Sequence, residues 1–174
     1  MEGDTYIIDA YNLMHADDEL TALMEVDLEA ARGAVIHEVS EFAAREATRV
    51  VLVFDAGGRP GAATTEKAGG NLEITYTAGG QSADDFIEKL AYAKPKSAGA
   101  AIVVTGDYAQ QRIVGGAGLL RMSPREFLAR LAESSEELRD TARKGGSSGR
   151  KVRVADRIPE DVRSALERLK REKS

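Results

Sequence analysis

At 174 residues, with 43% hydrophobic and 30% charged side chains, the chain is long enough for one domain with a sizeable core and too apolar to be disordered. It has no cysteine and two histidines, which excludes disulfides and Cys-based zinc sites and leaves oxygen to hold any metal, favouring magnesium or manganese. The net charge of −5 combines a basic tail, with 12 Lys/Arg against 6 Asp/Glu over Arg139–Ser174, and a body that carries −11. No basic and apolar leader opens the chain and no run approaches membrane-spanning length, so the expectation is a cytoplasmic protein with no membrane partner.

Thr5–Asp9 (TYIID) reads as a strand that ends in a carboxylate. Leu28, Ala31, Val35, Val39 and Phe42 then recur at spacings of three and four, one face of a helix. Val50–Asp55 (VVLVFD) is a β-branched run of the kind buried on both sheet faces. The Gly-rich stretch AGGRPGAATTEKAGG that follows is predicted to be a mobile loop, and LEITYT (72–77) a strand. Ser82 caps a predicted helix with Asp85 in its third position and Ala83, Phe86, Leu90 and Ala93 on its buried stripe.

AAIVVT (100–105) is another buried-type strand, followed by GDYAQQRIV, a short helix at most, and GLLRM (118–122), a further strand. Ser123, Pro124 and Glu126 form the capping box of a clear helix. KGGSSG (144–149) reads as a linker and residues 159–172 as a terminal amphipathic helix carrying Val162, Leu166 and Leu169. These features divide the chain into a domain over residues 1–133 and a basic extension over 134–174. Strands alternating with helices predict an α/β fold with a mostly parallel sheet, whose ligands bind at the carboxyl ends of its strands.

That rule gives the acids a common address. Asp9 and Asp55 end strands, Asp107 follows a third by two residues, and Asp84 and Asp85 open the helix after a fourth. Each alone fits a turn or helix cap, since aspartate serves both. Together they place carboxylates from four segments on one rim, where their mutual repulsion is relieved by a divalent cation. Magnesium binds through one or two carboxylates plus phosphate oxygens, and it activates water for attack on a phosphodiester. Asn12 either orients water or phosphate there or caps a helix. Arg59 and Lys67 in the Gly-rich stretch are candidates to touch a phosphate backbone. That stretch lacks the ending of a P-loop, and no Gly-x-Gly-x-x-Gly follows the first strand, so no nucleotide cofactor is expected. His15 and His37 read as surface or packing residues. Tyr11 and Tyr108, beside acids, are candidates for base stacking.

The stretches IIDAYNLM, VVLVFDAGG, ITYTAGGQSADDFIEKL, VVTGDYAQQ and GAGLLRMSPREFL resemble, in order, the motifs of the YacP-like NYN-domain proteins, a group of PIN-like nucleases. The resemblance spans roughly Tyr6 to Leu131. It implies a PIN-like three-layer α/β/α sandwich, metal-dependent endoribonuclease activity on mRNA and the ribosome as a partner. It assigns Asp9, Asp55, Asp84 and Asp107 to the metal, Asp9, Asp84 and Asn12 to catalysis, and Asp85 to a place just outside the ligands. Ala10 stands where the group favours glycine, Ser82 where it favours threonine, and Gly106 is inserted before Asp107.

The sequence therefore predicts a Mg2+- or Mn2+-dependent endoribonuclease acting on single-stranded or ribosome-associated RNA, with Arg59, Lys67, Arg121 and Arg125 on its backbone. One rival is an RNA- or ribosome-binding module with a weak or inactive site, which Gly106 beside Asp107 keeps open. Another is a receiver-like phosphoacceptor, disfavoured because Arg121 and Arg125 stand where a receiver places lysine.

Overall fold

Five apolar runs, each too short for a helix and rich in Val, Ile and Leu, supply the parallel strands of a single sheet. In the computed structural model, which describes residues 4–57, 60–93, 99–106 and 119–144, they are β1 (Thr5–Asp9), β2 (Arg49–Phe54), β4 (Leu72–Tyr76), β5 (Ala101–Val104) and β6 (Leu119–Met122). A sixth strand, β3 (Thr64–Lys67), precedes β4 in the chain. The order across the sheet is β3-β4-β2-β1-β5-β6, and every pairing is parallel except that of β3 with β4. The chain builds outward from β1 through β2 to β4, then returns to add β5 and β6 on the other side. The order therefore reverses between β1 and β5, and the carboxyl ends of those two strands form the crevice that such sheets offer to ligands.

Alternation along the strands divides the interior in two. Tyr6, Ile8, Val50, Leu52, Phe54, Ile102 and Val104 face helices α1 (Ala10–His15), α2 (Asp18–Val26), α3 (Leu28–Arg45) and α5 (Pro124–Lys144). Ile7, Val51, Val53, Ala101 and Val103 face α4 (Ala83–Ala93). The result is the three-layer α/β/α arrangement expected of the sequence. Tyr6, Phe42 and Phe127 meet with ring centroids 5.2–5.6 Å apart, so β1, α3 and α5 share one aromatic contact.

Four local expectations change. The stretch read as a loop contains β3, missed because all four of its residues are exposed and offer no apolar alternation; the Thr65 and Thr75 hydroxyls, 3.0 Å apart, tie it to β4. Helix α2 was not predicted. It buries only Leu20 and Leu23 and owes its start to Asp17, whose carboxylate accepts the Glu19 and Leu20 N–H groups. The buried side of α4 is Ala83, Ile87 and Ala91, with Phe86 and Leu90 at its margin and Ala93 exposed. The division at 133/134 falls inside α5, beyond which Ser134 and Ser135 accept hydrogen bonds from Arg45 of α3 at 3.1 and 3.3 Å. The terminal helix predicted at 159–172, the linker beyond residue 144 and the short helix after Gly106 lie outside the described residues.

Candidate metal and nucleic-acid site

Asp9 ends β1 and caps α1 in the same stroke. Its Oδ1 accepts the Asn12 N–H at 2.9 Å, and its Oδ2 accepts the Asn12 side-chain amide at 2.9 Å. The cap is thus Asp9, and Asn12 is the third residue of the helix rather than its N-cap. The same amide reaches Thr105 Oγ1 at 3.4 Å, across the crevice at the end of β5. Asn12 therefore spends its N–H donors on fixing Asp9 and bridging the switch point. Gly106 explains itself here: a Cβ at that position would stand 3.3 Å from Asn12 Oδ1, closer than most side chains tolerate.

Asp9 is only 6% exposed, and its carboxyl pKa is raised chiefly by burial, with the charge of Asp84 adding to the rise against the lowering effect of Asn12. Asp84 lies in the first turn of α4, and its Oδ1 is itself buried. What aims α4 at the rim is Asp55. Its Oδ2 accepts the Ala83 N–H at 3.2 Å, while its Oδ1 accepts the Gly57 N–H at 2.7 Å. Ser82 adds the expected cap, accepting the Asp85 N–H at 3.1 Å, and the Asp85 side chain is exposed.

The structure thus lets the charge of Asp84 act on Asp9 and gives Asp55 to the backbone that carries Asp84. Among the described residues no three acidic or histidine side chains converge closely enough to hold an ion. Asp107 and Arg59 lie outside the described residues. The donor set still fits magnesium or manganese, which need only one or two carboxylates when water and substrate oxygens complete the shell. Two like charges, one of them buried, are what such a cation relieves.

Asp9 makes this testable without substrate. Its pKa is raised on folding, so the stability it supplies is present below the ordinary aspartate range and is lost as pH rises through its folded-state value. Asp9→Asn keeps a good cap and removes the buried charge. The metal-free variant is expected to melt above the parent at neutral pH, and the gap should close in acid, as followed by circular dichroism.

On the β5–β6 side a groove of about 750 Å3 runs past Asn12, His15, Thr105, Arg121 and Arg125. Arg121 donates from Nη2 to the Thr105 carbonyl at 3.1 Å, and Arg125 is exposed. Lys67 is placed elsewhere. It pairs with Glu73, three residues before the rim end of β4, hence about 10 Å down the sheet. Sequence reasoning missed Thr105 and Arg32. Thr105 carried a usable signal, a polar residue closing an apolar strand. Arg32, on α3, carried none: its Nε donates to the Tyr11 hydroxyl at 3.2 Å, and it pairs with Glu29.

Residues 6–171 match the YacP-like NYN domain, a span that reaches well beyond the resemblance read from motifs. The uncharacterized protein YacP of Bacillus subtilis (strain 168) is 30% identical over 168 residues, covering 97% of both chains. The crystal structure of Rae1 (YacP) from Bacillus subtilis superposes with a TM-score of 0.68 at 28% identity, covering 98% of this chain and 92% of that one. A single-substitution mutant of it gives 0.69 at 29% identity, covering 95% and 99%. No described helix is long and apolar enough to cross a membrane.

Proposed function

The chain belongs to the family of YacP-like NYN domains, and on that footing we propose that it is a divalent-metal-dependent endoribonuclease cutting single-stranded or ribosome-bound mRNA. Family membership points to a nuclease-like, RNA-related role. The observation that carries the finer reading is a buried carboxylate, Asp9, at the carboxyl edge of a mostly parallel sheet, beside the point where strand order reverses, with the charge of Asp84 acting on it. Asp9 and Asp84 would hold the ion, magnesium or manganese. Bound there, it would supply an activated water and offset the charge that builds on a phosphodiester.

The protein's own residues do the rest. Asn12 holds the Asp9 carboxylate through two hydrogen bonds and keeps it from swinging out of the crevice. Asp55 fixes the first turn of α4 and so the placement of Asp84. Arg121 and Arg125 flank the groove beyond Asn12, where they would meet the RNA backbone and offset an acidic body. Such contacts make binding weaken with added salt.

The test is incubation of an end-labelled single-stranded RNA with the protein in magnesium or manganese, with and without ribosomes. Internal cuts that a chelator stops are expected. RNA or ribosome binding with no cut would favour the binding-module reading instead.

A further inference from the structure

We propose that a second, smaller cavity on the opposite side of the acid pair is a ribonucleotide subsite, seating a nucleotide next to the bond that is cut. This rests on the endoribonuclease reading. The cavity, about 190 Å3, has a lining that includes Arg32, Asp55, Gly61, Ala62, Tyr76 and Thr77. It lies at the carboxyl ends of β2 and β4, so it shares the rim with Asp9. Asp55 belongs to both places: it walls the cavity and accepts the N–H of Ala83, the residue before Asp84.

Arg32 is an ordered cation in the cavity wall. Its side chain is 13% exposed. Nε and Nη2 donate to the Tyr11 hydroxyl, Nη1 donates to Glu29, and the guanidinium lies 5.8 Å from the Tyr11 ring centre and 5.9 Å from that of Phe54. A guanidinium has five N–H donors, so these contacts leave donors for a ligand. Because the fork is already ordered, little freedom is lost when it grips a phosphate or ribose oxygen.

Polarity selects the ligand. An anion alone would meet Arg32 but also the Asp55 carboxylate. Each Asp55 oxygen accepts one backbone N–H and retains acceptor capacity, which suits a hydroxyl donor. A ribonucleotide brings both partners, phosphate oxygens for Arg32 and a 2′-hydroxyl for Asp55. Tyr76, stacked on Phe54 with centroids 5.4 Å apart, completes the wall. Burial, then the charge of Glu66, raises its pKa, so its hydroxyl stays protonated and neutral.

Two variants test the cavity by different means. Arg32→Gln removes the charge and keeps a donor for Tyr11. Ala62→Phe adds bulk from an exposed residue of the lining and leaves Arg32 untouched. With a labelled 12-nucleotide single-stranded RNA in manganese, both are expected to raise KM about tenfold or more, as the loss of a charge-assisted hydrogen bond does. Their kcat and their manganese-induced melting shift should stay near the parent's. Parent KM in both variants overturns the subsite. So does a KM rise in Arg32→Gln alone that comes with a lost manganese shift, which marks a structural role. If the parent cuts no RNA with or without ribosomes, the nuclease reading fails, and fluorescence anisotropy with the same RNA decides the subsite. Weaker binding by both variants then supports it, and parent affinity in both overturns it.

Discussion

Replacing Asp84 by asparagine is expected to lower metal-dependent RNA cleavage by at least about a thousandfold, because a bound ion supplies several kcal/mol of transition-state charge stabilisation and each 1.4 kcal/mol is tenfold in rate. The substitution is nearly isosteric, and two opposed effects on stability accompany it. Asparagine loses the favourable placement of an acid in the first turn of α4, worth about 0.3–1 kcal/mol. It also removes the repulsion that Asp84 exerts on buried Asp9. The fold should survive with little change in melting temperature, so lost cleavage reports on chemistry. Single-turnover cleavage in manganese, with circular dichroism on the same sample, is the check. Cleavage within tenfold of the parent would show that Asp84 does not serve the ion.

Phe127→Ala is expected to cost about 3–5 kcal/mol, the usual loss for a buried phenylalanine. Phe127 is fully buried and touches both Tyr6 of β1 and Phe42 of α3. It is the point where α5 locks onto the sheet, and the first turn of α5 adds Arg125 to the groove. For a chain of this size each kcal/mol moves the melting point by about 2–4 °C, so a drop of roughly 10 °C is expected. Urea unfolding measures it directly. A loss below about 1 kcal/mol would mean that α5 is not docked as described.

The fold was legible where burial leaves a period in the sequence. β1, β2 and β5 are largely continuous apolar runs, β4 alternates, β6 is short, and α3, α4 and α5 carry a cap or a stripe. β3 and α2 were illegible because one is wholly exposed and the other buries two side chains. The acids were legible as a rim, since parallel strands share their carboxyl edge, but their division of labour was not. That Asp55 grips the start of α4 and Asn12 grips Asp9 depends on which donor each oxygen meets in three dimensions. Arg32 reaches Tyr11 from 21 residues away, a contact no local pattern announces.

Those distinctions converge on one claim, that Asp9 and Asp84 share a divalent cation. Crystals soaked in manganese and measured at its absorption edge test it most directly. An anomalous peak touching a carboxylate oxygen of Asp9 and of Asp84 is expected, as is its disappearance in Asp9→Asn. A soaked crystal with no peak there, or a peak that persists unchanged in the variant, would contradict it.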